Sequence, residues 1–421
     1  MPALNRIVTA AAVALSSAAL LVTVAVPAPA TTLGADNRPI TNKAGTTFGV
    51  LSHRGGALQW PENSLEAFAG SVAAGFDAIE TDILFTRDGQ AVMSHYDLLP
   101  ERCTRSGESI HLLTAAEVAA VRCANLDGKL VVPIPTFDQL AAALAADPSV
   151  GLTLDIKSYP GQPSAEQRAY ASKAIRLVKS HGLVNRTRML SFFWTNHLPV
   201  IRKYAPKIYV LALDNGTMRL DRVRLADKLG ANGYGIKMNY TSEYLAKYIK
   251  AKGMDAVPWE VIGAEQRAFS IYYGGKVQQF STDEPDRTRA ELIAGKIDLN
   301  PKRVTAVTTL AAPVTISKAT YTAKARRYPV VLGKAVPKPD LAQLRSVTLS
   351  ITVTGGAGTG RLYVGGKGSP LSSSTWVALP AGTATVTVTT PLGDQGRLRI
   401  YTTRTVGLTV TAVAYTRVRF G

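Results

Sequence analysis

The sequence predicts a (β/α)8 TIM barrel followed by a C-terminal all-β sandwich, and three observations predict it. Short apolar runs alternate with amphipathic ones from Phe48 to about Ile293, the pattern of repeated βα units around a parallel sheet. The residues with chemical potential fall at or just past the carboxyl ends of those runs, where barrel active sites are built. After about Asn300 helical periodicity stops and the text turns rich in Thr, Val and Gly with period-two alternation.

The strand candidates are Phe48 to Ser52, Ala78 to Leu84, Gly151 to Ile156, Arg188 to Phe192, Ile208 to Leu213, Gly233 to Lys237, Ala256 to Val261 and Val277 to Ser281. Amphipathic stretches such as Ser164 to His181 and Ser242 to Lys252 supply the intervening helices. An open doubly wound sheet would place a pocket similarly, and it is the strand count that favours the closed barrel. In the C-terminal part the strand candidates are Ser346 to Thr354, Ala384 to Thr389, Arg397 to Thr402 and Gly407 to Tyr415. The expected organisation is a signal peptide at 1–30, a leader at 31–45, the barrel at 46–298, a linker at 299–314 and the sandwich at 315–421. Asn300-Pro301-Lys302 and Ala312-Pro313 mark the linker.

Arg6 precedes an apolar run from Ile7 to Val26, and Ala28-Pro29-Ala30 gives a small-x-small cleavage pattern. The expectation is export, to the extracellular space or the cell wall; a retained membrane anchor is the competing reading of the same run. Two cysteines, Cys103 and Cys123, then suggest one disulfide stapling a loop, because thiols pair in oxidising compartments. Two free buried thiols are the alternative. Closing a loop of this size contributes ~3 kcal/mol in the chain-entropy model. The formal net charge of +18 is uneven. From Asn300 onward 16 Lys and Arg face only Asp340 and Asp394, which suits an anionic cell-wall or lipid surface; no specific nucleic-acid partner is expected.

The chain has five histidines, and two of them stand in a dense polar arrangement. His53, Arg54, Glu80, Asp82 and His95 follow in the order H-R-G-G, E-T-D and S-H-Y. Splitting a phosphodiester requires a cation on the phosphate oxygens, removal of a proton from the attacking hydroxyl and return of one to the leaving group. Glu80 and Asp82, two apart on a strand, point to one face and can grip one hard cation such as Ca2+ or Mg2+. Asp88-Gly89 reads as a two-residue turn between Ile83 to Thr86 and Gln90 to Ser94. That turn pairs position 82 with position 95, and cross-strand neighbours have Cβ atoms ~5 Å apart, which sets Asp82 beside His95. His111, His181 and His197 lack such a context and read as surface or helix-end residues.

These motifs resemble the glycerophosphodiester phosphodiesterase family. The likeness is carried by His53-Arg54-Gly55-Gly56, Pro61-Glu62-Asn63-Ser64-Leu65-Glu66-Ala67-Phe68, Glu80-Thr81-Asp82 and Asp88-Gly89 followed by Val92-Met93-Ser94-His95. It continues through Leu154-Asp155-Ile156-Lys157, Ser191-Phe192, Val257-Pro258-Trp259 and Ser281-Thr282-Asp283-Glu284-Pro285, spanning residues 46 to 295 and leaving the tail unexplained. The resemblance implies a barrel that uses one divalent cation, Ca2+ or Mg2+, and two histidines to cleave glycerophosphodiesters to glycerol 3-phosphate and an alcohol.

Carried over residue by residue, it makes His53 and His95 the acid–base pair. Glu80, Asp82 and Asp155 become the metal ligands, with Asp155 standing where the family usually has Glu. A side chain one methylene shorter implies a deeper seat, weaker binding or an extra water. Arg54 and Lys157 are the phosphate clamps, one through a bidentate fork and the other as a point charge. Glu62 belongs near the glycerol or the metal. Asn63 reads instead as part of a helix capping box with Glu66. Trp259 walls the pocket or packs in the core, and its neighbours Glu260-Val261-Ile262 depart from the family's Thr-Val-Asn. Tyr96 separates His95 from Asp97, which leaves an orienting role for Asp97 open. Rival readings are a phospholipase D of the sphingomyelinase D type, against which Pro61-Glu62-Asn63 speaks, and a non-catalytic secreted surface-binding protein.

Overall fold

The computed structural model describes residues 40–420 apart from 126–127, 217–218, 262, 276, 322–327, 333–343, 356–359, 367–374, 380, 393–396 and 404. The expected signal peptide and most of the leader lie outside the described residues. Of the leader, Asn42 is held against the far end of the barrel by bonds from its side chain to the Leu299 carbonyl and from the Lys43 N–H to Asn300.

Eight strands run parallel in one curled sheet. They are β1 (Thr47–Ser52), β2 (Ala78–Phe85), β6 (Gly151–Ile156), β7 (Thr187–Ser191), β8 (Tyr209–Asp214), β9 (Gly233–Ile236), β10 (Asp255–Ala256) and β11 (Val277–Thr282). Their spatial order is β10-β9-β8-β7-β6-β2-β1-β11, sequential except that β11 closes onto β1. Five of the eight, β1, β2, β6, β8 and β9, are buried on both faces along most or all of their length. That is why they read as continuous apolar runs. Among the described residues no ladder joins β10 to β11. β10 is shorter than the expected run to Val261. The chain still follows β9 through bonds from Val257 to the Tyr234 carbonyl and from Trp259 to the Ile236 carbonyl.

The helices cover the outside, and their starts are written in the sequence. In α3 (Phe137–Ala145) Thr136 caps the helix with Gln139 in a reciprocal box. α4 (Ser164–Ser180) and α7 (Glu243–Ala251) match the expected amphipathic runs to within a residue or two. Phe68, Phe137, Leu140, Leu144, Ala171 and Ile175 pack with the strand residues Ile79, Ile83, Leu152 and Leu154 in the main core.

Within β2 and β3 (Ala91–Met93) the expected hairpin forms, but its register differs by one residue. Ile83 pairs with Met93 and the Ser94 N–H donates to the Asp82 carbonyl, so position 82 faces 94 rather than 95. The turn holds three residues, not two. Gly89 takes φ +90, and the Thr86 hydroxyl and N–H tie the ends to Gln90 and Asp88. A type I turn followed by a left-handed residue makes this three-residue loop, a competitor that an Asp-Gly pair alone does not exclude.

His197 is a correction: in α5 (Trp194–Tyr204) it is fully buried rather than at the surface. Its Nδ1 meets the Ser191 hydroxyl at 2.8 Å, and desolvation pulls its pKa down to about 3. A group that titrates near 6.5 when unfolded but stays neutral when buried makes the unfolded state bind more protons as the pH falls. Stability is therefore lost below about pH 6.5. Between pH 7 and pH 5 the chain should lose roughly 2 kcal/mol more than a His197→Gln variant, by urea unfolding followed through tryptophan fluorescence. Parallel losses in the two proteins would mean that the folded state accepts the proton.

The C-terminal strands form two four-stranded antiparallel sheets. One has the order β12 (Arg303–Tyr321), β19 (Val406–Phe420), β14 (Leu344–Thr354), β17 (Ala384–Pro391). The other is β13 (Tyr328–Val331), β18 (Arg397–Thr402), β15 (Gly360–Gly366), β16 (Thr375–Leu379). Val347, Leu349, Ile351 and Val410 of the first sheet pack on Leu362, Val364, Leu398 and Ile400 of the second. β12 begins at Arg303, so Ala312-Pro313 is not linker but part of the strand. The ladder slips between Thr309 and Val314, and an edge strand with a bulge is where a proline is tolerated. Arg303 reaches Glu243 of α7, and Arg417 reaches Glu265 of α8 (Gly263–Tyr273) at 3.2 Å.

Candidate active site

The residues singled out by sequence converge because of strand register. β2 pairs with β6 so that Asp82 lies directly beside Asp155, and Glu80 sits two residues back on the same face. Carboxylate oxygens of Glu80, Asp82 and Asp155 lie within 4.8 Å of one another, all buried. β1 pairs with β11 so that Ser52 faces Thr282, which sets the next residues, His53 and Asp283, side by side. His53 Nδ1 and Asp283 Oδ1 are 2.6 Å apart. This leaves His53 Nε2 facing the carboxylates, 3.9 Å from Glu80 Oε2.

The His53-Arg54-Gly55 turn crosses the top of β1 with φ values of +50 at Arg54, +79 at Gly55 and +93 at Gly56. A Cβ on Gly55 would lie 2.6 Å from that of Ala67, so glycine is required by contact as well as by dihedral. The strained backbone aims the Arg54 N–H at Glu80 Oε2, 2.9 Å away. The Arg54 side chain reaches Glu62 Oε2 at 2.8 Å, and its Nε lies 3.8 Å from Asp82 Oδ2 without a hydrogen-bond partner. Lys157, just past β6, holds Asp155 Oδ2 at 2.6 Å and Asp82 Oδ1 at 2.9 Å.

Electrostatics follow from that packing. Burial, and then the neighbouring Asp82 charge, push Glu80 up. Burial works the same way on Asp82, but the Lys157 ammonium, His95 and Arg54 together outweigh it and hold the carboxyl well below its usual range. Asp155 is pushed up by burial despite Lys157. Burial opposes the charge on His53, yet its bond to Asp283 and the Glu80 charge raise it. Burial pulls His95 down to about 3, the Asp82 charge opposing. His95 is near enough to His53 to feel its charge.

The donor set fits a hard divalent cation: three buried carboxylates share one ammonium and an arginine already engaged by Glu62. Asp155 Oδ1 is buried with no hydrogen-bond partner, a free oxygen facing that cluster. A cation held by Glu80, Asp82 and Asp155 would share Asp82 and Asp155 with Lys157.

Of the remaining expected residues, Trp259 packs its ring edge-on against Phe192 at 5.4 Å and donates from Nε1 to the Asp214 carbonyl. Phe192 in turn lies 5.9 Å from Lys157 Nζ, so Trp259 and Phe192 form one aromatic wall. Cys103 and Cys123 are bonded, as the cysteine pattern suggests. A cavity between that staple and the site is lined by Glu62, His95, Tyr96, Arg102 and Asn125.

The matching family model is the glycerophosphoryl diester phosphodiesterase family, over residues 53–287, more than half of the chain. The chain belongs to this family. A glycerophosphodiester phosphodiesterase of Caldanaerobacter subterraneus is 26% identical over 246 residues, covering 56% of this chain and 94% of that one. The Mycobacterium tuberculosis protein named probable glycerophosphodiester phosphodiesterase 2 is 27% identical over 238 residues, covering 56% and 80%. A solved structure from Silicibacter pomeroyi DSS-3, described as a candidate glycerophosphoryl diester phosphodiesterase, overlays with a TM-score of 0.53 at 24% identity, covering 61% of this chain and 96% of that one; it speaks for the barrel fold. The chain is thus an enzyme of the phosphoric diester hydrolase class, and glycerophosphodiesters are its family's substrates.

Sequence reasoning misread Asn63, gave Asp283 no role and left Asp97 open. Asn63 is no capping residue: Ser64 caps α1 (Leu65–Ala73), accepting from Ala67. Asn63, at φ +55, donates to Asp82 Oδ2 at 2.9 Å and accepts from Thr81 at 2.6 Å, orienting the carboxylate. Asn and Ser cap helices about equally well, so residue type carries no signal that separates Asn63 from Ser64. Asp283 went unused although it stands in a motif of the resemblance. Asp97 orients His111 rather than His95: its Oδ2 meets His111 Nδ1 at 2.8 Å, and that ring stacks on Tyr159 at 3.8 Å. His181 caps the end of α4 against Asp138, a helix-end role as expected.

Proposed function

We propose that this chain is an exported, cation-dependent phosphodiesterase that splits glycerophosphodiesters into glycerol 3-phosphate and an alcohol, with His53 and His95 as its acid–base pair. One observation carries the reading: two imidazoles and a buried triad of carboxylates meet at the carboxyl end of the barrel. A Ca2+ or Mg2+ ion on Glu80, Asp82 and Asp155 would polarise the phosphoryl oxygens. Arg54 and Lys157 then grip those oxygens, Arg54 through the Nε donor that has no partner within the protein. One imidazole takes the proton of the attacking glycerol hydroxyl while the other protonates the departing alkoxide, and water opens the resulting cyclic phosphate with the roles reversed. Asp283 keeps the His53 ring turned so that Nε2 faces the reaction.

Export is supported by the apolar run from Ile7 to Val26 and by the disulfide, which belongs to oxidising compartments. The basic sandwich supports residence at an anionic cell-wall or lipid surface; Arg303 and Arg417 are engaged by barrel acids, and the remaining cations supply the attraction. Purified protein with Ca2+ or Mg2+ should release glycerol 3-phosphate from glycerophosphocholine. Failure to release it from any of a panel of glycerophosphodiesters, with either ion, would reject the reading.

A further inference from the structure

We infer that Arg102, carried on the disulfide-stapled loop, is a positioning residue for phosphate binding: it divides the Glu62 carboxylate with Arg54 and so sets the aim of Arg54. The inference rests on the phosphodiesterase reading above. Both oxygens of Glu62 are engaged, Oε2 by Arg54 at 2.8 Å and Oε1 by the Arg102 guanidinium. The same two guanidiniums flank one ring, lying 5.8 and 5.9 Å from the centroid of Tyr96, the residue after His95. Two cations held this close repel, and the carboxylate between them is what allows both to stay.

Removing Arg102 frees Oε1. A carboxylate with one arginine partner closes onto it bidentately, because the guanidinium fork matches both oxygens. Arg54 would then turn a second donor toward Glu62 and away from the carboxylate cleft, where its partnerless Nε now lies 3.8 Å from Asp82. Substrate phosphate would lose a grip that the acid–base pair does not depend on.

The staple explains why a loop residue can do this reliably. Arg102 directly precedes Cys103, whose partner Cys123 sits opposite it in an antiparallel bridge. The Ala124 N–H donates to the Arg102 carbonyl at 2.9 Å, and the Thr104 N–H to the Arg122 carbonyl at 2.8 Å. The two bonds flank Cys103, so Arg102 is anchored through its own carbonyl and through the stapled residue that follows it. Its side chain is 27% exposed, with Glu62 at 16%, so solvent screens the pair only partly.

Steady-state kinetics on the full chain with glycerophosphocholine test this. Arg102→Met should raise KM about tenfold, the worth of one charge-assisted hydrogen bond, with kcat within about threefold. Arg102→Lys, a point charge without a fork, should fall between. In a Glu62→Gln background Arg102→Met should change KM by less than about twofold, because the shared partner is gone. Paired Cys103→Ser and Cys123→Ser substitutions should raise KM in the same direction. An unchanged KM in Arg102→Met, or a full tenfold effect persisting in the Glu62→Gln background, would overturn the inference. Absence of turnover in the unsubstituted protein would instead reject the phosphodiesterase reading and take this inference with it.

Discussion

Replacing His53 or His95 by alanine is expected to lower kcat by roughly a hundred- to ten-thousandfold, the usual worth of a positioned acid or base. The argument is geometric before it is electrostatic. His53 is fixed by a register: Ser52 opposite Thr282 brings it to Asp283, whose 2.6 Å contact with Nδ1 commits Nε2 to the site. His95 Nδ1 is buried with no hydrogen-bond partner, and its ring lies close enough to the cluster to feel the charges of Asp82, Lys157 and Arg54. Neither ring supports the core, since His53 lies among carboxylates and is 35% exposed at its side chain. Thermal unfolding of the variants should therefore track the parent while turnover collapses. Asp283→Asn should cost less than His53→Ala, because the ring remains and only its orientation and basicity suffer. His111→Ala, which removes a ring committed to Asp97 and Tyr159, should leave kcat within about threefold as the control. Turnover surviving in either of the first two variants would make those imidazoles structural.

What was legible in the sequence is what depends on local pattern. Gly151–Ile156 and Arg397–Thr402 emerge with the bounds their alternation and flanking turns imply. Glu80 and Asp82 share a face because period two leaves no other choice. Less legible was anything set by one residue of register or by a partner distant in sequence. The hairpin slipped by one because Asp-Gly suits both a two-residue turn and a three-residue one closed by Gly89 at φ +90. His197 looked like a helix-surface residue because sequence does not reveal that Ser191 waits beneath it. Asp283 lies 230 positions from His53, a separation no local rule bridges. Pro313 suggested a linker for a sound reason, and only the edge position of β12 with its bulge makes the proline harmless.

Chelation should abolish turnover, by about a thousandfold or more given that a Lewis acid on a phosphoryl oxygen supplies several kcal/mol, and Ca2+ or Mg2+ should restore it. A stability measurement separates a cation site from an ordinary ion-pair cluster. In the cation-free protein Glu80 and Asp155 are both pushed up by burial, so charge there opposes folding. Glu80→Gln should accordingly leave cation-free stability unchanged or raise it. Saturating cation should stabilise the parent by about 2.7 kcal/mol at a hundred times Kd, and stabilise Glu80→Gln far less. Asp155→Glu, which lengthens the side chain to the family's usual residue, should keep a carboxylate on the cluster and alter the concentration of cation needed for half-maximal stabilisation. Asp155→Asn should lose most of the shift. If the parent gains no stability from either ion while remaining active in chelator, the carboxylates serve Lys157 and Arg54 alone, and phosphate neutralisation falls to those two side chains.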